Sequence, residues 1–212
     1  MTAPSPAAPA PRARSRPFDL GPMPLGRRML TVDEAVVAAP AARIFELAWR
    51  VEDWPRHLAH YRFVRFRTRA PDGGGLVEMS ANRPFGVADW PTWWLSEMRV
   101  DHDTPEVRYR HVDGVTRGMD VSWTFEPAKG SDGARDPGRT HVRIVHVWDG
   151  PDWPLIGTVA ALGVIGPVFV HGIASRTLAG LKAVAERGIG NRESGTESAE
   201  SPRFPIPDSR SP

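Results

Sequence analysis

The sequence predicts an α+β domain, a curved antiparallel sheet of about seven strands closed by one long C-terminal helix. Three observations predict it. Apolar and polar residues alternate with period two over several stretches of the middle of the chain. Short connections rich in Gly, Asp and Pro, such as "PDGGG" and "DHDTP", separate those stretches. After Gly166 the apolar spacing becomes helical and stays so to Gly188.

The elements follow in order. "LTVDEAVV" sets Leu30, Val32 and Val36 two apart, with Glu34 interrupting, which reads as a first strand. "APAARIFELAWRV" opens a helix at Pro40, a residue suited to a first turn because its missing N–H would have no partner there. Ile44, Phe45, Ala48 and Val51 then share one helical face. "EDWPRHL" predicts a second, short helix with Asp53 as its cap. In "RFVRFRTR", Val64, Phe66 and Thr68 oppose Arg65, Arg67 and Arg69, a strand with one wet face. "LVEMSANR" is less regular. In "WPTWWLSEMRV", Thr92, Trp94, Ser96, Met98 and Val100 oppose Trp93, Leu95, Glu97 and Arg99. "EVRYRHV" and "GMDVSWTFEP" come next, the second with Met119, Val121, Trp123 and Phe125 facing one way. The loop "AKGSDGARDPGR" separates these from "THVRIVHVWD". Last comes a helix with the stripe Phe169, Ile173, Leu181 and Val184, for which Gly188 is the expected stop.

Residues 1–28 read as a flexible tail rich in Pro, Ala and Arg, with no apolar core of the kind a secretory signal needs. Residues 189–212 read as a disordered tail of Ser, Glu and Pro. Residues 29–188 are then one domain. The formal net charge is only +2, with 25 Arg and two Lys among 212 residues, which indicates no nucleic-acid footprint. With no cysteine, disulfides, thiolate nucleophiles and Cys-type zinc sites are excluded, and a cytoplasmic location is expected.

The run "LIGTVAALGVIGPVFVHGIAS", residues 155–175, contains no Asp, Glu, Lys or Arg. A membrane span needs about 20 predominantly apolar residues. Here Gly166-Pro167 breaks the run, and its second half continues into the amphipathic helix, so the expectation is no integral span. Its apolar surplus marks instead the rim of a cavity, or a surface for transient membrane contact.

"VAAPAARIFELAWRVEDWP", "VSWTFEP" and "SRTLAGLKAVAE", in this order, resemble the polyketide cyclase/dehydrase branch of the START-like, or SRPBCC, superfamily, over about residues 29–188. The resemblance implies a helix-grip fold, with the sheet wrapped around the C-terminal helix and a deep apolar cavity between them. It places Trp54 and Tyr61 at the cavity entrance, Trp94 and Ser96 on a wall strand, and Trp123 within. Where aromatase/cyclase members carry an Arg two residues after that Ser, a second pocket Arg, and a polar residue on the last helix, this chain has Met98, His111 and Leu178. Arg99 does not replace the first, because one residue along a strand turns the side chain to the other face.

Strand alternation adds Tyr109 to the face of His111, and Trp148 to that of His146. His111, His146 and His171 are the candidates for proton transfer near neutral pH, because histidine alone titrates there unperturbed. No metal-ligand spacing, phosphate loop or cofactor motif stands out. The expected ligand contacts are therefore Trp54, Tyr61, Trp94, Ser96, Met98, Tyr109, His111, Trp123, His146, Trp148, Phe169 and Ile173, with Tyr61, Ser96 and His111 as catalytic candidates. The expected function is binding of a hydrophobic or aromatic small molecule, of cyclase/dehydrase type by resemblance. The alternative is a non-catalytic carrier for a lipid or polyprenyl quinone, like the coenzyme Q-binding members. The sequence does not choose between them, and it leaves the oligomeric state open.

Overall fold

The structure, a computed structural model, describes residues 18–85, 88–151 and 170–193. Its chain order is β1 (Met29–Val37), α1 (Ala41–Trp49), a 3-10 turn (Val51–Asp53), α2 (Trp54–His57), β2 (Tyr61–Arg69), β3 (Gly75–Phe85), β4 (Ala88–Asp101), β5 (Glu106–Gly114), β6 (Asp120–Lys129), β7 (Arg135–Trp148) and α3 (His171–Glu193). All seven strands form one antiparallel sheet in the order β1-β7-β6-β5-β4-β3-β2. Helix α3 packs across its inner face, against β1, α1, α2 and β3, which is the helix-grip arrangement.

Alternation sets the core. On β4, Thr92, Trp94, Ser96, Met98 and Val100 are buried while Trp93, Leu95, Glu97 and Arg99 are half-buried, as the sequence predicts. Val77, Met98, Val107, Val142 and Ile144 have no measurable exposure, and they meet Ile44 and Ala48 of α1 and Leu181 of α3 in one cluster. Two glycines are fixed by close approach. Gly75 has φ 138°, and a Cβ there would fall 2.0 Å from the Thr68 carbonyl oxygen in the β2–β3 hairpin. Gly114 has φ 92°, and its Cβ would fall 2.4 Å from the Trp93 carbonyl, where the β4–β5 register shifts.

Several expectations need correction. The apolar residues of β1 face outward: Leu30, Val32 and Val36 are exposed, and Met29, Asp33 and Val37 are buried. Asp33 can go inside because its carboxylate takes His171 of α3 as partner. Asp53 precedes α2 but makes no side-chain cap; it pairs with Arg50 and Arg56 instead. The expected loop 128–139 is mostly strand, since β6 and β7 continue past a bulge at Pro127/Ala128 to a tight turn with Gly133 at φ 78°. Helix α3 runs through Gly188 to Glu193. Before β1, Leu20 is 3% exposed, and the carbonyls of Leu20 and Gly21 accept from Arg110 and Arg108, so this part of the stretch read as tail packs on the outer face of the sheet. The start expected at Pro167 and most of the run 155–175 lie outside the described residues. Among the described residues, no helix is long and apolar enough to cross a membrane.

Candidate functional site

Between the inner face of the sheet and α3 lies a cavity of about 70 Å³. Its wall brings together eight of the residues expected from sequence: Trp54, Tyr61, Trp94, Tyr109, His111, Trp123, His146 and Ile173. Ser96, Met98 and Trp148 are not on it. Ser96 and Met98 share the inner face but are fully covered, and His111, across from Ser96 on β5, reaches the wall where the short serine stops. Trp148 turns its indole N–H to the Arg117 carbonyl, 2.8 Å away. Phe169 lies outside the described residues.

The aromatic part of the wall is interlocked. Trp54 meets Tyr61 edge-on at 5.1 Å and Trp123 at 5.8 Å, and Trp94 stacks on His111 at 6.1 Å with an interplanar angle of 19°. Trp54 is fixed by its own N–H, which donates to the Leu47 carbonyl at the end of α1 at 2.9 Å. The short turn after α1 thus aims this indole into the domain.

The polar groups are few and neutral. His111 Nδ1 lies 2.5 Å from the Thr116 hydroxyl, which the tight β5–β6 turn folds back over it: Gly118 N–H donates to the His111 carbonyl and His111 N–H to the Met119 carbonyl. His146 Nδ1 lies 3.3 Å from the Thr31 hydroxyl on β1, its cross-strand neighbour. Burial, reinforced by the neighbouring His146, pushes His111 down to about 3. Burial and the nearby His171 do the same to His146, also to about 3. Burial raises both tyrosines above their usual range. The Tyr61 hydroxyl lies 3.3 Å from Thr177 Oγ1. The Tyr109 hydroxyl is buried and has no hydrogen-bond partner among the described residues.

Each neutral imidazole carries a single proton, either on the Nδ1 that faces its threonine or on Nε2. Among the described residues, no Asp, Glu, Lys or Arg lines the wall and no cluster of potential metal ligands occurs.

Thr116 and Thr177 were not singled out in the sequence. Thr177 carried a signal, because it interrupts the four-residue spacing of Ile173 and Leu181 yet is 1% exposed. Its neighbour Leu178 is the position where the resemblance put a polar residue, so the hydroxyl on this helix sits one residue earlier. Thr116 gave no signal, since it lies in an ordinary turn.

The comparisons agree with this architecture. Residues 37–165 match the family described as polyketide cyclase / dehydrase and lipid transport. This chain belongs to that family. It is 32% identical over 108 residues, 45% of the chain and 86% of the relative, to a Streptomyces halstedii protein named "Putative polyketide cyclase". A START superfamily protein from Mycobacterium smegmatis superposes with a TM-score of 0.53 at 11% identity, over 74% of this chain and 97% of that one. The Zhui aromatase/cyclase from Streptomyces sp. R1128 gives 0.52 at 15% identity, over 81% and 98%. At these identities the structural likeness carries the fold alone.

Proposed function

We propose that the protein binds a neutral, hydrophobic small molecule bearing carbonyl oxygens, aromatic or polyketide-like, in the cavity between sheet and α3, and processes it in the manner of a cyclase/dehydrase. The observation that carries this reading is the Tyr109 hydroxyl, buried in an apolar wall without a partner among the described residues. An unsatisfied buried hydroxyl costs about 1–3 kcal/mol, which a ligand oxygen would recover. The neutral imidazoles of His111 and His146 stand on the same wall. Donors lacking any counter-charge favour a carbonyl over a carboxylate or a cation. An empty apolar cavity of roughly 150 Å³ already admits a benzene ring. The 70 Å³ here is smaller, so wall side chains must give way as an aromatic ligand enters.

A second reading, the carrier of a lipid or polyprenyl quinone, draws on the same neutrality. Both catalytic candidates on the wall, Tyr61 and His111, are held away from titration near pH 7. Holding a quinone needs donors; enolising a ketone needs a base as well.

Native mass spectrometry of the protein from its own host tests both, with a co-bound small molecule as the expected result. A cavity empty in every preparation overturns both readings. With ligand in hand, Tyr109→Phe should weaken binding about tenfold, in keeping with one lost hydrogen bond, while leaving the fold intact. Product formation separates the enzyme from the carrier.

A further inference from the structure

A chain of hydrogen bonds leads out of the cavity. Tyr61 stands on the wall, its hydroxyl 3.3 Å from Thr177 Oγ1 on α3, and the same Oγ1 lies 3.1 Å from His60 Nε2. His60 is only half-buried. Its backbone is pinned, since its carbonyl accepts from Asn82 N–H at 2.7 Å, and its ring lies 4.8 Å from that of Tyr61. Gly180, one helical turn on, faces the end of the Leu58 side chain: a Cβ there would fall 2.2 Å from Leu58 Cδ2, so a larger residue would require that side chain to shift.

We propose that Tyr61, Thr177 and His60 form a proton relay between the cavity and solvent, with His60 as its solvent-side acid–base group, acting on a bound enol or phenol through the other two. This rests on the cavity being a ligand site. Outward transfer balances as follows. The ligand hydroxyl gives its proton to the Tyr61 oxygen, Tyr61 gives its own to Thr177, and Thr177 gives its own to His60 Nε2. The ligand is left an oxyanion and His60 an imidazolium, and inward transfer reverses each step. Thr177 Oγ1 also donates to the Ile173 carbonyl at 2.8 Å, so its proton has two resting directions, one of them free to serve the relay.

The surroundings of His60 suit an acceptor. Tyr61 on its own strand and Thr177 on α3 are neutral. The charged group that acts on it is Arg176 of α3, and burial together with Arg176 holds the imidazole below its ordinary range. At neutral pH His60 is therefore unprotonated and able to receive. His111 and His146 bond their threonines through Nδ1 on the far wall, and neither lies on this path.

The test uses 2-naphthol, whose hydroxyl becomes a strong acid on excitation and whose naphtholate emits at longer wavelength only if a proton acceptor is within reach. Saturable binding to the full chain, followed by fluorescence titration, comes first. Bound probe should then show naphtholate emission at pH 7, fading as acid protonates His60. In His60→Gln and Thr177→Val the ratio of naphtholate to naphthol emission should fall about tenfold or more. Thr177→Ser should restore it. Circular dichroism confirms that each variant is folded. If 2-naphthol binds but its emission ignores His60 and Thr177, the relay is wrong while the ligand site stands. If it binds nowhere, both fall.

Discussion

The two faces of the sheet are built from alternate residues of the same strands, yet they handle polarity in opposite ways. On the inner face three titratable side chains of the cavity are neutral and answered by hydroxyls: His111 by Thr116, His146 by Thr31, Tyr61 by Thr177. On the outer face they are ions answered by ions. Glu78, next to the wall residue Met79, accepts from Arg65, Arg67 and Trp93, each at 2.7 Å. Arg99 holds Asp101, and Arg110 holds Asp120. Among the described residues, none of the chain's 52 Lys, Arg, Asp and Glu residues lines the cavity, and Asp33, which does face inward, is paired with His171. A neutral pocket needs no counter-ion when empty and repels no uncharged ligand.

The hardest blow to this division is a charge placed on the wrong face. Met79→Arg moves a guanidinium one residue inward from the Glu78 cluster, into a wall with no anion to meet it. It should cost at least about 3–5 kcal/mol and leave little folded protein by urea denaturation.

Acid should break the division more gradually. His111 and His146 titrate near 3 in the fold, against about 6.5 in the unfolded chain. The folded state thus resists their protonation: their contribution is complete above about pH 6.5 and is lost as pH falls toward 3. Each histidine adds a slope of about 1.4 kcal/mol per pH unit across that window. His111→Gln should flatten the curve of stability against pH by one proton, and an unchanged slope would show that the ring is not held neutral.

Smaller still is the removal of one outer-face charge. The Arg65 guanidinium, ahead of the other partners, holds Glu78 down at about 2. That contribution is present above the ordinary carboxylate range and fades as pH drops through 2, opposite in origin to the histidine effect. Glu78→Gln should cost about 1 kcal/mol at pH 7, because its amide oxygen still accepts from Trp93 and the charge pairing it gives up, with Arg65 and Arg67, is more than half exposed and screened by water. Least of all, Arg143→Ala, which removes an exposed pair with Glu34, should change stability by no more than about 0.5 kcal/mol.

The sequence made the sheet legible wherever one face is wet. β4 could be read residue by residue, because Glu97 and Arg99 alternate with Trp94, Ser96 and Met98. It misled on β1, where the apolar set Leu30, Val32 and Val36 faces out and Asp33 faces in. An edge strand buries less, and a carboxylate with a histidine partner 138 residues away leaves no local trace. Among the cavity candidates, aromatic residues and histidines were readable because they are large and few. Ser96 was placed on the right face but not at the wall, since depth depends on how far each side chain reaches. The threonines that tune the histidines and Tyr61 went unseen, as a hydroxyl acquires its role only when tertiary contacts set an imidazole or a phenol beside it.

The cavity also has a mechanical consequence. Void volume that a fold encloses is eliminated when a chain unfolds into water, so hydrostatic pressure favours the unfolded state by whatever volume a cavity contributes. A ligand that fills the cavity removes that difference. The pressure at which half the molecules unfold should therefore rise on binding by more than affinity accounts for, and compressibility becomes a measure of occupancy that needs no knowledge of what the ligand is.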